Sequence, residues 1–418
     1  MSLAFLIKPA SVESPSEEEK GSFPPLGLLY LASVFREHGC DVELYDLDFT
    51  GEDELLNRAC SKQPDIIAIT SVTPSYWETV RVIRRLREAL EGALIAVGGP
   101  HATLVSEDFF GLADIVVRGE GEGVVEEIIK LAKERGGRRS ETIVLEGRPI
   151  EDLDSLPYPD RSVLRPELYS ENIGSMFTSR GCPYNCLFCV TRYIMGSRFR
   201  ARSPENVVGE WAKIIGAYRV PEVKILDDVF TFDRGRATAI CKLALEYGLG
   251  KWSLPNGVRV DNVDPDLLAL MAESGCTTLW YGVESGSQRV LKLLRKGITL
   301  EQVERAVRWS KDVGIEVGLF FMVGAPGENL DTVRETLDLI ARLDPNYVHF
   351  SIATPYPRTD FWRWVEENGR FLTRDYSRFE REFVFETPDY SLRDRLKAVE
   401  IIEDELAPKY GIRILHAD

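Results

Sequence analysis

Histidine, cysteine and long apolar runs are all scarce in this chain. No stretch without Asp, Glu, Lys or Arg is longer than Gly92 to Ser106, which is broken by Gly98-Gly99-Pro100. That is short of the ~20 apolar residues a spanning helix needs, which excludes a transmembrane helix. Leu3 to Ile7 is too short for the apolar region of a secretory signal, so the chain is expected in the cytoplasm. Basic residues are outnumbered, 51 against 67, for a net charge of −16. Such a field repels phosphate backbones, and neither nucleic acid nor a membrane is an expected partner. Seven cysteines are an odd count, better suited to a metal or redox site than to a disulfide framework. The rest is ordinary. With 44% hydrophobic and 28% charged residues over 418 positions, the composition predicts a folded protein of two or three domains at roughly 150 residues each.

Across residues 1–140, Leu3–Ile7, Val42–Tyr45, Ile66–Thr70, Leu94–Val97 and Ile115–Val117 read as strands, and Leu28–His38, Leu55–Cys60 and Trp77–Leu90 as the helices between them. The alternation predicts an α/β domain with a doubly wound parallel sheet of the Rossmann or flavodoxin type. Ligands of such sheets bind at the carboxyl ends of the strands. The loops Lys8–Gly27, Ser71–Tyr76, Gly98–His101 and Arg118–Gly123 fall there.

Over residues 141–171 the periodicity lapses, and Pro149, Pro157, Pro159 and Pro166 punctuate a polar stretch that reads as a linker. From 172 to 365 the alternation resumes. Strands at Met176–Ser179, Val223–Leu226, Trp252–Gly257, Thr278–Val283, Glu316–Val323 and Tyr347–Ile352, with helices between, predict a partial (β/α)6 barrel. Its functional groups belong at the carboxyl ends of the strands. Residues 366–418 read as a small cap with no assignable pattern. The aromatic-rich stretch Phe361–Phe385 is either core or the lining of a substrate channel, for which Tyr356 and Trp362 are candidates.

Cys182-Pro-Tyr-Asn-Cys186-Leu-Phe-Cys189 follows the first barrel strand. This spacing lets one loop wrap three corners of a cubic iron–sulfur cluster, leaving one iron open to chelate the amino and carboxylate groups of a small molecule. The alternative is zinc, which wants four closed ligands; no histidine is near, so Cys241 or Cys276 would have to fold in. The triad, with Phe188 before the third cysteine, resembles the signature of radical S-adenosylmethionine (SAM) enzymes. That resemblance implies a [4Fe–4S] cluster on Cys182, Cys186 and Cys189, with SAM as cofactor beside Phe188. It implies that Asp227 and Asp228 receive the SAM amino group, Arg259 its carboxylate and Glu284 its ribose or amino group, while Gly324 admits adenine. Arg180, Arg192, Arg198, Arg200 and Arg202 put five cations and no carboxylate between Ser179 and Pro204, which suits an anionic cluster or is simply a solvated basic face.

A doubly wound domain ahead of such a barrel resembles the cobalamin-binding domain of the B12-dependent radical SAM subclass. Cobalamin contacts are then expected from Ser71, Val72, Thr73 and Tyr76, from Gly98, Gly99, Pro100 and His101, and from Gly119, Glu120 and Gly121. The Pro9–Gly27 loop holds no histidine, so the motif that donates an imidazole to cobalt in mutases and methionine synthase is missing. Cobalamin is expected base-off, with Tyr76 beneath the cobalt and His101 bonding the nucleotide tail. Loss of an axial donor favours cob(I)alamin and hence methyl transfer.

The resemblance implies a cobalamin-dependent radical SAM methyltransferase that methylates an unactivated sp3 carbon, using a 5′-deoxyadenosyl radical, methylcobalamin and a low-potential electron donor. The compact layout resembles the archaeal enzymes that methylate residues of methyl-coenzyme M reductase, including a glutamine carbon, so the substrate is a protein or peptide side chain or a small molecule or lipid. The alternatives are a non-methylating B12 enzyme of cyclisation or rearrangement, and a non-catalytic corrinoid or electron-transfer protein, which would need neither Asp228, Arg259 nor Glu284.

Overall fold

The computed structural model describes residues 2–11, 23–135 and 141–414, so much of the Lys8–Gly27 loop and the last four residues lie outside the described residues. The chain divides into two compact units, Met1–Ser175 with Tyr193–Gly196, and Met176–Arg192 with Ser197–Asp418.

In the first unit, β1 (Leu3–Lys8), α1 (Leu26–Glu37), β2 (Asp41–Asp46), α2 (Glu52–Lys62), β3 (Ile66–Thr70) and α3 (Tyr76–Ala89) follow one another. They are succeeded by β4 (Leu94–Gly98), α4 (Pro100–Leu104), β5 (Ile115–Gly119), α5 (Val125–Arg135) and β6 (Ile143–Gly147). The strands form one parallel sheet in the order β2-β1-β3-β4-β5-β6. Their buried Ile, Val, Leu and Ala pack under α1 and α5, as a sheet covered by helices requires.

The segment 141–171, expected as a linker, is instead built into this unit. β6 pairs with β5 from Ile143↔Ile115 to Gly147↔Gly119. As an edge strand its apolar residues are only half-buried, so they carry little periodic signal. Beyond it, Tyr169 donates from its hydroxyl to Asp46 at 3.0 Å, and the Tyr158 carbonyl accepts from Ser33 at 2.6 Å.

In the second unit, β7 (Ser175–Met176) is followed by an antiparallel pair, β8 (Ser179–Arg180) and β9 (Arg200–Ala201), which brackets the cysteine loop and the short α6 (Thr191–Ile194). Then come α7 (Pro204–Tyr218), β10 (Glu222–Ile225), α8 (Arg234–Tyr247), β11 (Lys251–Val258), α9 (Pro265–Glu273), β12 (Cys276–Glu284) and α10 (Gln288–Leu293). α11 (Leu300–Asp312), β13 (Glu316–Val323), α12 (Leu330–Leu343), β14 (Tyr347–Ile352), α13 (Asp360–Asn368) and α14 (Leu392–Tyr410) complete it. The sheet order β14-β13-β12-β11-β10-β7 follows the chain, as in a partial barrel. Helix starts are set by local chemistry: Ser203 before Pro204 caps α7, and Thr299 with Gln302 closes a capping box on α11.

The C-terminal aromatics build a core of their own. Phe361, Val365, Phe379, Val384 and Phe385 are buried with Leu187, Val290, Leu294 and Met322, and Tyr356 and Trp362 pack against them. The Trp362 ring lies 4.3 Å from that of Phe371.

Candidate active site

The cysteine loop is fastened at its entrance and its middle. At the entrance, Asp227, just past β10, accepts from the Thr178 amide (2.6 Å), the Ser179 amide (3.2 Å), the Ser179 hydroxyl (2.6 Å) and the Thr178 hydroxyl. Both carboxylate oxygens are thereby occupied, so Asp227 positions the loop and is not free for SAM. In the middle, Leu187 is buried in the cap core while its N–H donates to the Leu294 carbonyl at 2.8 Å. With Leu187 turned inward, Cys182, Cys186 and Cys189 stay half-exposed on either side.

Burial pushes the Cys182 thiol up to about 11, helped by Cys189, Asp228 and Cys186 nearby, and it raises Cys186 against the opposing charges of Lys296 and Arg259. Thiols so placed are protonated until a cationic cluster takes them as thiolates. Three soft thiol donors on one loop, with two cations near Cys186, fit an iron–sulfur cluster in donor chemistry. Cys241 and Cys276, which a zinc site would need, lie in the barrel core, Cys276 at the amino end of β12. Among the described residues, no three or more His, Cys, Asp or Glu side chains gather on a single ion.

The other predicted SAM residues divide. Asp228 is raised to about 6 by burial and the neighbouring Asp227, and among the described residues accepts only a 3.3 Å bond from Thr191. It is the carboxylate of the pair still available to an ammonium group. The Arg259 fork, expected on the SAM carboxylate, is already taken by Asp261 at 2.9 and 2.8 Å. Its guanidinium also lies 3.6 Å from the ring centroid of Tyr184, inside the cysteine loop. Arg259 thus braces the loop as placed. Glu284 ends β12 with φ +74 at a register shift. Its Oε1 accepts from Lys296 Nζ at 2.7 Å, both side chains being buried. Phe188 lies beneath the same ammonium, 5.6 Å from its ring centroid.

Gly324 makes room for protein. Its φ is +83, and a Cβ there would meet Arg395 Nη1 at 2.6 Å and Phe383 Cε1 at 2.7 Å. Its carbonyl accepts from Arg395 at 2.6 Å, and its N–H donates to Glu328. The arginine run is equally structural in part: Arg202 is buried on Glu210 and donates to the Phe177 carbonyl at 2.8 Å, while Arg192 donates to Asn185.

In the first unit the predicted cobalamin residues are mostly turned toward one another. Ser71 accepts from Thr79 at 3.1 Å, and its carbonyl takes the His101 N–H at 2.9 Å. His101 is fully buried, its Nδ1 3.1 Å from the Thr73 hydroxyl and its Nε2 3.2 Å from Asp108. Both nitrogens being engaged, it supports the loop as placed. Tyr76 is likewise withdrawn, its hydroxyl donating to the Asp108 carbonyl at 3.2 Å and its ring 5.0 Å from that of His101. The Gly98 carbonyl accepts from the Ser71 amide, and Pro100 opens α4. Gly119 donates to Thr103 at 3.0 Å, Glu120 accepts from the Ile150 amide at 2.9 Å, and Gly121 lies against Leu31. What this rim exposes is apolar: Val72 at 44% and Trp77 at 50% of full exposure. A flat, largely apolar corrin face fits that pair.

Sequence reasoning missed Lys296, Asp261, Glu328 and Arg395. Lys296-Gly297 reads as an unremarked helix end, because α10 is too short to show a period. Arg395 is fully buried on a helix that lay in the unassigned cap.

The radical SAM superfamily model matches residues 176–340, and the B12 binding domain model matches residues 18–129. An uncharacterized methyltransferase of Pyrococcus horikoshii is 33% identical over 383 residues, covering 85% of this chain and 81% of its own. An anaerobic magnesium-protoporphyrin IX monomethyl ester cyclase of Cereibacter sphaeroides is 27% identical over 394 residues, 88% of this chain and 64% of its own. Among solved structures, the radical SAM methyltransferase TsrM from Kitasatospora setae, with cobalamin and a [4Fe–4S] cluster bound, shares the fold with a TM-score of 0.72. It is 20% identical and covers 90% of this chain and 81% of that one. With a three-cysteine loop on the barrel, a doubly wound domain before it and a relative this similar along most of both lengths, the chain belongs to the cobalamin-dependent radical SAM methyltransferase family.

Proposed function

We propose that this enzyme methylates an unactivated sp3 carbon, and that Cys182, Cys186 and Cys189 hold the cluster while the rim carrying Val72 and Trp77 seats cobalamin. The observation that carries this reading is the division of charge around the cysteine loop. Asp228 stands by Cys182, and Lys296 stands by Cys186 and Phe188. SAM has an ammonium and a carboxylate on one carbon, and an acid and a base flanking the loop match its two ends. Bound in place, the cluster supplies the electron that cleaves SAM to a 5′-deoxyadenosyl radical, and cobalamin supplies the methyl carrier. The chain's own part is to hold and desolvate. Asp227 fixes the loop entrance, Arg259 with Asp261 braces Tyr184, Glu284 keeps Lys296 in the site, and the cap core buries Leu187.

The acceptor is a protein side chain, such as a glutamine of methyl-coenzyme M reductase, or a lipid or small metabolite; a cyclisation without methyl transfer is the second reading, supported by the likeness to the cyclase. Anaerobically reconstituted protein, reductant and methyl-labelled SAM are incubated with host-cell extract. The expected result is 5′-deoxyadenosine release together with label in one extract fraction. Release of 5′-deoxyadenosine with no label transferred to any fraction would favour the cyclase reading, and no release at all would sink both.

A further inference from the structure

The groups assigned above come from the carboxyl ends of the barrel strands; the concave face beneath them has no role yet. Along β14, Val348, Phe350 and Ile352 sink into the helix-side core, which turns Tyr347, His349 and Ser351 to the other face. The register sets rows across three strands. Trp280, Gly318 and Tyr347 make one row, and Gly282, Phe320 and His349 make the next toward the carboxyl end.

These rows form a floor. A Cβ on Gly318 would stand 2.2 Å from Trp280 Cδ2, so the glycine is what lets the indole lie down. Its ring centroid is 4.6 Å from that of Phe320 and 6.0 Å from that of Tyr347, at interplanar angles of 31° and 18°. Phe320 then meets His349 edge-on at 5.7 Å and 84°. The imidazole at the end of this floor is exposed, and it makes no hydrogen bond to any described residue.

Strands β12, β13 and β14 contain no Lys or Arg. The acids that share this face are occupied, Glu316 accepting from the Tyr347 hydroxyl at 2.8 Å and Glu284 from Lys296. Although open to solvent at its edge, the imidazole lies low among the neighbouring strands, and this partial desolvation lowers its pKa from the ordinary value. The cation nearest these rows, Lys296 over Gly282, is paired with Glu284, so an aromatic floor of this kind recognises flat apolar groups by contact and gives an anionic group little return for its desolvation.

We propose that His349 is the substrate-positioning residue of this enzyme, hydrogen-bonding a polar group on an uncharged substrate whose planar ring system lies along Phe320 and Trp280. This rests on the radical SAM methylase reading, since it is the radical site at the strand ends that makes the face below it a substrate seat.

The test uses the full chain loaded with cluster, cobalamin and SAM, and equilibrium dialysis of two probes, neutral indole-3-carboxamide and anionic indole-3-carboxylate. The carboxamide is expected to bind at least about tenfold more tightly than the carboxylate. His349→Ala is expected to weaken it about five- to tenfold, the worth of one neutral hydrogen bond, and His349→Gln to recover most of that. Iron and cobalamin contents are measured on each variant to exclude misfolding. Equal carboxamide affinity in wild type, His349→Ala and His349→Gln overturns the proposal, as does tighter binding of the carboxylate or binding of neither probe. Wild-type 5′-deoxyadenosine release is measured in the same preparation. If release is present while binding ignores His349, only this inference falls; if release is absent, the methylase reading falls and this inference with it.

Discussion

The two carboxyl-end rims of this protein are built on opposite principles. In the first unit the polar groups of the rim, Ser71, Thr73, Tyr76 and His101, satisfy one another or nearby backbone, and the apolar Val72 and Trp77 are left outside. In the second the rim keeps charges, Glu284 with Lys296 and Arg259 with Asp261, against a loop of thiols. A rim finished with internal hydrogen bonds is rigid and selects by shape, which suits a large, mostly apolar macrocycle. A rim of buried charge pairs holds ions that a small zwitterion can engage, because a partly desolvated charge gains most from a new partner.

The strongest way to break this comparison is to remove the thiols. Cys182→Ala with Cys186→Ala and Cys189→Ala is expected to abolish iron-dependent visible absorbance and 5′-deoxyadenosine release, while cobalamin still binds. Iron that persists at full stoichiometry in the triple variant would place the cluster elsewhere.

A crossed pair of variants sharpens it. Arg259→Ala removes the brace on Tyr184 and a cation near Cys186. By loosening the loop that carries the thiols it is expected to weaken SAM binding about tenfold, with cobalamin affinity unchanged. Val72→Asp puts a charge on the apolar rim and should do the reverse, weakening cobalamin more than about tenfold while SAM binding holds. If either variant moves both affinities equally, the two rims are not separate devices.

The smallest effect is on stability. Burial raises Glu328 to about 7, against the opposing pull of the Gly324 N–H and Arg395. Because the acid's folded pKa lies above its unfolded value near 4.5, its contribution is full below pH 4.5 and is lost as pH rises toward 7. The loss is on the order of 3 kcal/mol. Glu328→Gln should flatten that part of the denaturation profile between pH 4.5 and 7, and a difference profile between wild type and variant that stays level across this window would show that Glu328 does not titrate there.

How far the chain could be read in advance follows from these same residues. Strand and helix order was legible because both sheets are parallel and buried, so their strands stand out as β-branched runs between amphipathic helices. β6 was hidden because an edge strand buries too little to be periodic, and α10 because it is too short. The three cysteines were legible because a loop that wraps a cluster carries its ligands locally, at fixed spacing.

By itself, then, the sequence determined the two-domain α/β architecture, the thiol loop and the absence of an axial imidazole near the N-terminus, since each is written in neighbouring residues. Only the tertiary structure decided which acids and bases were available. Asp227 and Asp228 are adjacent and chemically alike, yet one is bound by four donors on Thr178 and Ser179, 49 and 48 residues away, and the other is not. His101, Tyr76 and Arg259 are promising in isolation and turn out to be partnered. Lys296 and His349 carry no local signal and become candidates only when folding brings them beside Cys186 and Phe320. Hydrogen-bond partnership and desolvation depend on groups distant in the chain, and those are properties no local pattern can hold.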